Sequence, residues 1–275
     1  MTLRFRVLGS GSAGNATLVE GGGARVLLDA GLGPRSLAER LQSAGVDPAS
    51  LDAVFVSHEH GDHARGAAAF SAKWGVPLAL TRGTFRAAGF TEAKLPAWDE
   101  VAPGETRTIR RLTLRAVAVP HDAASPLAFV ATAGAVSFGH ATDIGHLSRG
   151  LVEALRGCAA VLLESNYDPA MLRDGPYPWS LKERILGPLG HLSNGDVGRL
   201  LEKGLGEACR HVVLAHLSRK NNHPELALQA AEEALGRAGR RDVKVALAAP
   251  EGTGWIAVAA PRAASGRHDG QLRLF

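Results

Sequence analysis

Cysteine is scarce in this sequence, and Cys158 and Cys209 are its only two thiols. Two cysteines are too few for a disulfide framework or for a zinc site built from thiolates. No stretch approaches the roughly 18 apolar residues that a membrane helix needs. The N-terminal residues alternate like a strand and lack the apolar run of a secretory signal peptide. We therefore expect a soluble, cytoplasmic protein without a membrane partner.

An excess of charge of one sign is also lacking. The 275 residues include 31 Lys plus Arg and 27 Asp plus Glu, for a formal net charge of +4. This balance permits a polyanionic partner but does not require one. Hydrophobic residues make up 45% of the chain, a share that excludes wholesale disorder.

Histidine, in contrast, is concentrated in one place. Three of the eleven histidines lie in the string Ser-His-Glu-His-Gly-Asp-His at 57–63, directly after a buried-strand pattern. Residues i and i+2 of an extended segment project the same way, so His58 and His60 can bind one cation together. After a turn at Gly61, Asp62 and His63 offer ligands for a second cation. Imidazole and carboxylate without thiolate suit zinc, manganese or iron.

More ligands are available where later strands are predicted to end. Each candidate closely follows a predicted strand, and loops at strand ends are common places for sites built on a rigid scaffold. These candidates are His121, Asp143 and His216.

Strand and helix patterns are interleaved along the chain, and only turns separate some neighbouring strands. This mixture predicts an α/β chain with helices packed outside sheets and no long linker. Strands are predicted at 4–8, 24–28, 52–57, 112–119, 127–132, 135–138, 161–163, 212–215, 243–248 and 256–259. Helices are predicted at 34–44, 64–74, 147–156, 181–186, 197–205 and 225–238.

The histidine-rich loop with a later His, Asp and His resembles the metallo-β-lactamase fold superfamily, and Asp29 matches the first motif of that superfamily. The resemblance runs from about Gly9 to Ala259. It implies a four-layer αββα sandwich with metals at one edge between the sheets. Further strings resemble the bacterial YycJ/WalJ branch: Gly-Ser-Gly-Ser-Ala-Gly-Asn at 9–15, Leu-Glu-Ser-Asn-Tyr-Asp at 163–168, Gly-Pro-Tyr-Pro at 175–178, Gly-His-Leu-Ser-Asn at 190–194 and Ala-His-Leu-Ser-Arg-Lys-Asn-Asn at 215–222.

Carried over by position, the resemblance implies two divalent metal ions, Mn²⁺ or Zn²⁺, and a full ligand set. Asp29 and Ser57 are expected to support the ligands from behind. The first metal would be held by His58, His60 and His121, the second by Asp62, His63 and His216, and Asp143 would bridge them.

Two metals can hold a hydroxide between them and stabilise charge on an attacked phosphate. We therefore expect in-line hydrolysis of a phosphodiester, with catalytic roles for Asp62, Asp143 and His191. The string Gly-His-Leu-Ser-Asn precedes a predicted helix, whose N-terminus suits phosphate. It resembles the Gly-His-Ser/Thr string of ribonuclease Z-like phosphodiesterases, which implies phosphate contact and leaving-group protonation for His191. The alternative for His191 is a capping-region histidine bonded to backbone.

Members of the YycJ/WalJ branch resemble DNA exonucleases, which implies a two-metal DNA exonuclease in mismatch repair or replication. The alternatives are a ribonuclease of the Z or J type, a small-molecule hydrolase of the same fold, and a non-catalytic, clamp-tethered DNA-binding adaptor. The residues expected to contact nucleic acid are Lys182, Arg184, Ser193, Asn194 and Lys220.

The last five residues differ from the polar segment before them. We expect a hydrolase domain over residues 1–260 and a flexible C-terminal tail over 261–275. The tail ends in Gln-Leu-Arg-Leu-Phe, which resembles the short peptide that binds the bacterial DNA sliding clamp, although Arg273 departs from the usual Ser or Asp. Two leucines and a phenylalanine could fill an apolar groove. The expected clamp-binding residues are Gln271, Leu272, Leu274 and Phe275.

Overall fold

A computed structural model describes residues 2–259, and its strands form two seven-stranded mixed sheets. The first sheet contains β1 (Leu3–Gly9), β2 (Ala16–Gly21), β3 (Ala24–Leu28), β4 (Ala53–Phe55), β5 (Leu78–Leu80), β6 (Trp98–Glu100) and β14 (Ile256–Val258), in the order β14-β1-β2-β3-β4-β5-β6. The second contains β7 (Thr106–Ile109), β8 (Leu112–Ala118), β9 (Leu127–Ala133), β10 (Val136–Ala141), β11 (Ala160–Glu164), β12 (His211–Ala215) and β13 (Lys244–Leu247), in the order β13-β12-β11-β10-β9-β8-β7.

Helices cover the outer faces of both sheets. Leu37 and Phe70 pack against the outer side of the first sheet, and Leu151 and Leu200 pack against the second. The expected four-layer αββα architecture is therefore confirmed. The helices are α1 (Pro34–Ser43), α2 (Gly61–Ala64), α3 (Ala67–Trp74), α4 (Arg82–Ala87), α5 (Arg149–Arg156), α6 (Pro169–Asp174), α7 (Trp179–Leu186), α8 (Asn194–Lys203) and α9 (Pro224–Arg237).

The central core lies between the two sheets, where alternate residues of each strand point inward. Phe5 of β1 stacks on Phe138 of β10, with ring centroids 4.0 Å apart. Phe55 of β4 meets the edge of the Phe129 ring of β9 at 5.6 Å. All four rings are buried, so these two aromatic pairs join the two sheets.

Parallel pairing directs several strand ends to the same edge of the sandwich. In the first sheet β3, β4, β5 and β6 run parallel to one another, and in the second β10, β11, β12 and β13 do so. The carboxyl ends of parallel strands meet at one edge, and open α/β sheets place their sites there. The candidate ligands lie on the loops that follow β4, β10 and β12 of these strands, and on the loop that follows β8.

The helix expected over 64–74 is interrupted, and α2 and α3 are separate. Gly66 donates its backbone N–H to Ala30 O at 2.8 Å instead of to a helical carbonyl. A Cβ at Gly66 would collide with the carbonyl of Leu32, so this glycine lets the loop after β3 approach closely. The strands β2, β5, β6 and β7 and the helices α4 and α6 were not expected from the sequence patterns.

No helix within residues 2–259 combines the length and apolar character needed to cross a bilayer. The expected tail and clamp-binding peptide lie outside the described residues.

Candidate metal centre and cleft

The first group of predicted ligands is the histidine triplet His58, His60 and His121, whose ligand atoms lie within 4.8 Å of one another. His60 Nδ1 is 3.3 Å from His121 Nε2. His121 Nδ1 donates to Gly190 O at 3.0 Å, which leaves Nε2 facing the triplet. Burial lowers the pKa of His58 to about 3, so this imidazole stays neutral and keeps a lone pair for a cation.

The second group consists of Asp62, His63 and His216, again with ligand atoms within 4.8 Å. His216 Nε2 lies 3.2 Å from Asp62 Oδ2, and His63 Nε2 lies 3.6 Å from the same oxygen. Burial alone would lower the pKa of His216, but Asp143 and Asp62 outweigh it and raise this pKa to about 10. The carboxylates therefore make this region favourable for positive charge.

Asp143 lies between the two groups. Its Oδ2 is 2.8 Å from His63 Nε2, and its Oδ1 is 3.8 Å from His121 Nε2. Burial would raise the pKa of Asp143, but His216 and His63 outweigh it and hold this pKa well below the usual range. Asp143 therefore presents a buried, ionised carboxylate to both groups.

Asp29 and Ser57 support the centre from the side opposite the cleft. Asp29 is fully buried, and its Oδ2 accepts from His63 Nδ1 at 2.8 Å. Its Oδ1 accepts from Ser57 N at 2.7 Å, and Ser57 Oγ lies 3.0 Å from His58 Nδ1. These contacts fix the ring orientations of His58 and His63 so that both Nε2 atoms face the centre.

Three residues of the centre adopt left-handed backbone conformations that non-glycine residues seldom take. The φ angles are 63° at Asp29, 55° at Asp143 and 53° at His216. Such strain costs of the order of 1–3 kcal/mol per residue and persists where the surrounding contacts determine the conformation. The contacts around Asp29, Asp143 and His216 therefore hold their backbone in these conformations.

Glu164, to which the sequence analysis assigned no role, is a central acceptor of the site. It ends β11, is fully buried, and its Oε1 accepts from His191 Nδ1 at 2.6 Å and from His216 Nδ1 at 3.0 Å. Its Oε2 accepts from Ile144 N at 2.9 Å. Burial would raise the pKa of Glu164, but His191 and His216 lower it to about 2. The available signal was a carboxylate at the end of a buried strand.

Asn15, in the glycine-rich loop after β1, also touches the ligands. Its Nδ2 lies 2.9 Å from His63 Nε2 and donates to Asp62 Oδ2 at 3.3 Å. In the same loop Ser10 Oγ accepts from His216 N at 2.8 Å. The string Gly-Ser-Gly-Ser-Ala-Gly-Asn thus contacts the second ligand group from two sides.

His191 lies at the mouth of the centre, with 21% of its side chain exposed. Burial would lower its pKa, but Glu164 outweighs this effect and raises it. With Nδ1 bonded to Glu164, Nε2 is the ring nitrogen left for a ligand in the cleft. His191, Asp143, Glu164 and His216 also form a further group with ligand atoms within 4.8 Å.

The residues expected to contact nucleic acid differ in whether their side chains are buried or exposed. Lys182 is buried and its Nζ donates to Arg173 O at 2.7 Å, so its charge does not reach the cleft. Asn194 is buried against Ser165 Oγ, which donates to it at 2.7 Å. Ser193 is the N-cap of α8 and accepts from Asp196 N at 3.1 Å. These three polar side chains make internal hydrogen bonds in the structure.

Arg184 and Lys220 remain at the surface. Arg184 lines the cleft beside the centre, with its Nε donating to Asp122 Oδ2 at 2.5 Å. Lys220 is exposed on the loop that follows His216. Both can meet a polyanion without losing a buried hydrogen bond, because neither is enclosed by the fold.

A cleft of about 420 Å³ opens over the centre, and the candidate ligands form its floor. A larger depression of about 1060 Å³ runs along β1 and β2, but no candidate ligand lines it. Of its four arginines, Arg4 and Arg25 pair with Glu20 and Arg110 pairs with Asp52. The smaller cleft is therefore the candidate active site. Its lining residues include Ser12, His60, Asp62, Arg65, His121, Asp143, Tyr177, Arg184, His191 and His216.

The residues present fit divalent cations. His58 Nε2 is buried and has no hydrogen-bond partner within residues 2–259, and a buried polar atom without a partner is unfavourable. Nitrogen and carboxylate oxygen, without sulfur, are the donors that zinc and manganese accept in hydrolytic centres.

Comparison with known proteins identifies the type of fold. The sequence model of the metallo-beta-lactamase superfamily matches residues 9–216. The exodeoxyribonuclease YycJ of Bacillus anthracis is 32% identical over 241 residues, which cover 87% of this chain and 91% of the relative. The exodeoxyribonuclease WalJ of Streptococcus pneumoniae is 33% identical over 230 residues, 82% of this chain and 85% of the relative. Among solved structures, the metallo-beta-lactamase fold protein YhfI from Bacillus subtilis superposes with a TM-score of 0.71 at 17% identity, covering 93% of this chain and 99% of that one.

Proposed function

This chain belongs to the metallo-beta-lactamase superfamily, in the branch of YycJ and WalJ, and on that premise we propose that it is a two-metal DNA exonuclease. The observation that carries this proposal is the convergence of seven candidate ligands on one edge of the sandwich, with His191 above them. DNA is proposed as the substrate because relatives that align over most of the chain are named exodeoxyribonucleases.

Two cations are proposed because the ligands form two groups that share a buried carboxylate. His58, His60 and His121 would hold one cation, and Asp62, His63 and His216 the other, with Asp143 reaching both. Bound there, Mn²⁺ or Zn²⁺ would activate water and stabilise charge on the attacked phosphate.

His191 is proposed to contact the phosphate and to protonate the leaving oxygen. Glu164 accepts a hydrogen bond from Nδ1 at 2.6 Å, which fixes the ring and turns Nε2 toward the substrate. Because Glu164 raises the pKa of His191, the ring can carry a second proton on Nε2, and this is the proton that would pass to the leaving oxygen. The same carboxylate holds His216 at 3.0 Å, so Glu164 aligns the histidine above the centre with a ligand inside it. Positioned proton donors of this kind contribute about 10²–10⁴-fold to a rate.

The cleft offers cationic and aromatic groups for a strand of nucleic acid. Arg65 and Arg184 line it with Tyr177, and Lys220 lies exposed on the adjacent loop. Cations meet backbone phosphates, and an aromatic ring can stack on an unpaired base. A role in mismatch repair or replication, and a cytoplasmic location, are proposed along with this substrate.

Purified protein incubated with end-labelled double-stranded DNA, single-stranded DNA and RNA tests the proposed substrate. In Mn²⁺ or Zn²⁺ we expect DNA to be shortened progressively from its ends, because the relatives that align over most of the chain are named exodeoxyribonucleases. Asp143→Ala serves as the inactive control. A strong preference for RNA, or no cation-dependent degradation of DNA, would contradict the proposal.

We also propose that residues 271–275 bind the DNA sliding clamp. Deletion of this peptide is expected to abolish clamp binding and to leave exonuclease activity unchanged, since none of its five residues is a candidate ligand. Surface plasmon resonance on immobilised clamp measures the first effect, and the end-labelled DNA assay measures the second. A chain with residues 261–265 deleted is the matched control. Unchanged clamp binding by the 271–275 deletion would refute this role.

A further inference from the structure

Asp122, next to the candidate ligand His121, has a carboxylate of which only one oxygen accepts a hydrogen bond. Its Oδ2 accepts from Arg184 Nε at 2.5 Å, and its backbone N–H donates to Leu189 O at 3.1 Å. Its Oδ1 is buried and has no hydrogen-bond partner among the described residues. A buried carboxylate oxygen without a donor is unfavourable, so a donor is expected to approach it when the site is assembled.

Two imidazole nitrogens face this oxygen. Asp122 Oδ1 lies 3.3 Å from His121 Nε2 and 3.9 Å from His60 Nε2. His121 cannot be the donor in its neutral form, because its proton is on Nδ1, which donates to Gly190 O. The available donor is therefore His60.

The orientation of His60 agrees with this assignment. Its Nδ1 lies 3.3 Å from His121 Nε2 and is turned into the triplet, so Nε2 points away from it. When Nδ1 binds a cation, the proton of a neutral imidazole must lie on Nε2. The distance of 3.9 Å between His60 Nε2 and Asp122 Oδ1 is longer than an N–H···O hydrogen bond by less than about 1 Å, so a small movement would form this bond.

We infer that Asp122 is a positioning residue that holds His60 in the orientation needed to bind the first cation. Asp122 is not part of the group formed by His58, His60 and His121, so it acts through His60 rather than as a ligand. Arg184 of α7 fixes the other oxygen, which couples this helix to the metal centre. The inference rests on the proposed two-cation site but not on the proposed DNA substrate.

Titration of the metal-free protein with Co²⁺, followed by calorimetry and by visible absorption, tests this role. Asp122→Ala is expected to weaken the binding of one cation by about 10–100-fold, the usual effect of removing a partner of a metal-bound histidine, and to leave the other cation unchanged. The absorption spectrum at saturation should match that of the wild type, because no ligand is lost. Asp122→Asn keeps an acceptor oxygen without the charge, so its cation affinity should lie between those of the wild type and Asp122→Ala.

Asp174→Ala is the matched control, since Asp174 also pairs with a neighbouring arginine, Arg173, at 3.2 Å but lies on the exposed surface of α6. Thermal unfolding of each metal-free variant verifies folding. Wild-type affinity in Asp122→Ala would overturn the inference, and so would an altered spectrum at saturation, which would make Asp122 a ligand. Because these readouts need no nucleic acid, they separate a failure of this inference from a failure of the proposed substrate.

Discussion

Replacement of Asp143 by alanine is expected to reduce phosphodiester turnover by about a thousandfold or more, equivalent to about 4 kcal/mol of transition-state stabilisation. Asp143 is buried and lies 2.8 Å from His63 Nε2 and 3.8 Å from His121 Nε2, so it serves both ligand groups. Its loss removes a shared ligand from both proposed cations and leaves the neighbouring histidines without their carboxylate.

Thermal unfolding with and without cation measures the loss of cation binding in Asp143→Ala, and this measurement needs no substrate. A cation at about 100 times its Kd stabilises the wild type by about 2.7 kcal/mol, which raises Tm by about 5–10 °C in a chain of this size. Asp143→Ala should show little of this rise, whereas the surface variant Asp174→Ala should show all of it. A wild-type rise in Asp143→Ala would contradict a shared role for this carboxylate.

The second large effect is expected for His191→Ala, which should lose about 10²–10³-fold in turnover and keep both cations. His191 belongs to neither of the two proposed ligand groups, and its Nδ1 is already bonded to Glu164 at 2.6 Å. Its Nε2 is therefore available to the substrate rather than required by a cation. Turnover at saturating substrate and the cation-dependent rise in Tm together separate these roles.

A suitable control is His223→Asn, because His223 is an exposed N-cap residue of α9 and asparagine also caps helices. Near-normal turnover in His191→Ala would refute the proposed role of this histidine. Loss of a cation would do so as well, because it would assign His191 to the further group with Asp143, Glu164 and His216 as a metal ligand.

Much of the fold followed from local patterns, and the differences have local causes. The αββα sandwich is confirmed, and so is the predicted class of enzyme, a metal-dependent phosphodiesterase. The strands β5 and β6 have three residues each, and the apolar runs around them are shorter than those that indicated the equally short β4 and β14. The break at Gly66 depends on a contact with the loop after β3, which helical spacing does not report.

The candidate ligands were predictable because four of them are nearly consecutive and the others directly follow strong strand patterns. The supporting residues were harder to predict. Glu164 contacts His191 and His216 across 27 and 52 positions of sequence, so no local spacing marks it as an acceptor. The role inferred for Asp122 depends on the ring orientations of His60 and His121, which the sequence does not report.

Strand periodicity and the histidine-rich string, which are local properties, were enough to predict the class of fold and the first candidate ligands, and the family resemblance implied the edge of the sandwich and the rest of the ligand set. Only the tertiary structure decided which polar groups serve the centre and which serve the fold. In the fold, Lys182 Nζ donates to a backbone carbonyl, and Glu164 and Asp122 lie beside the histidines. The reason is physical: a buried polar group must find a partner, and packing rather than sequence order determines which partner lies within reach.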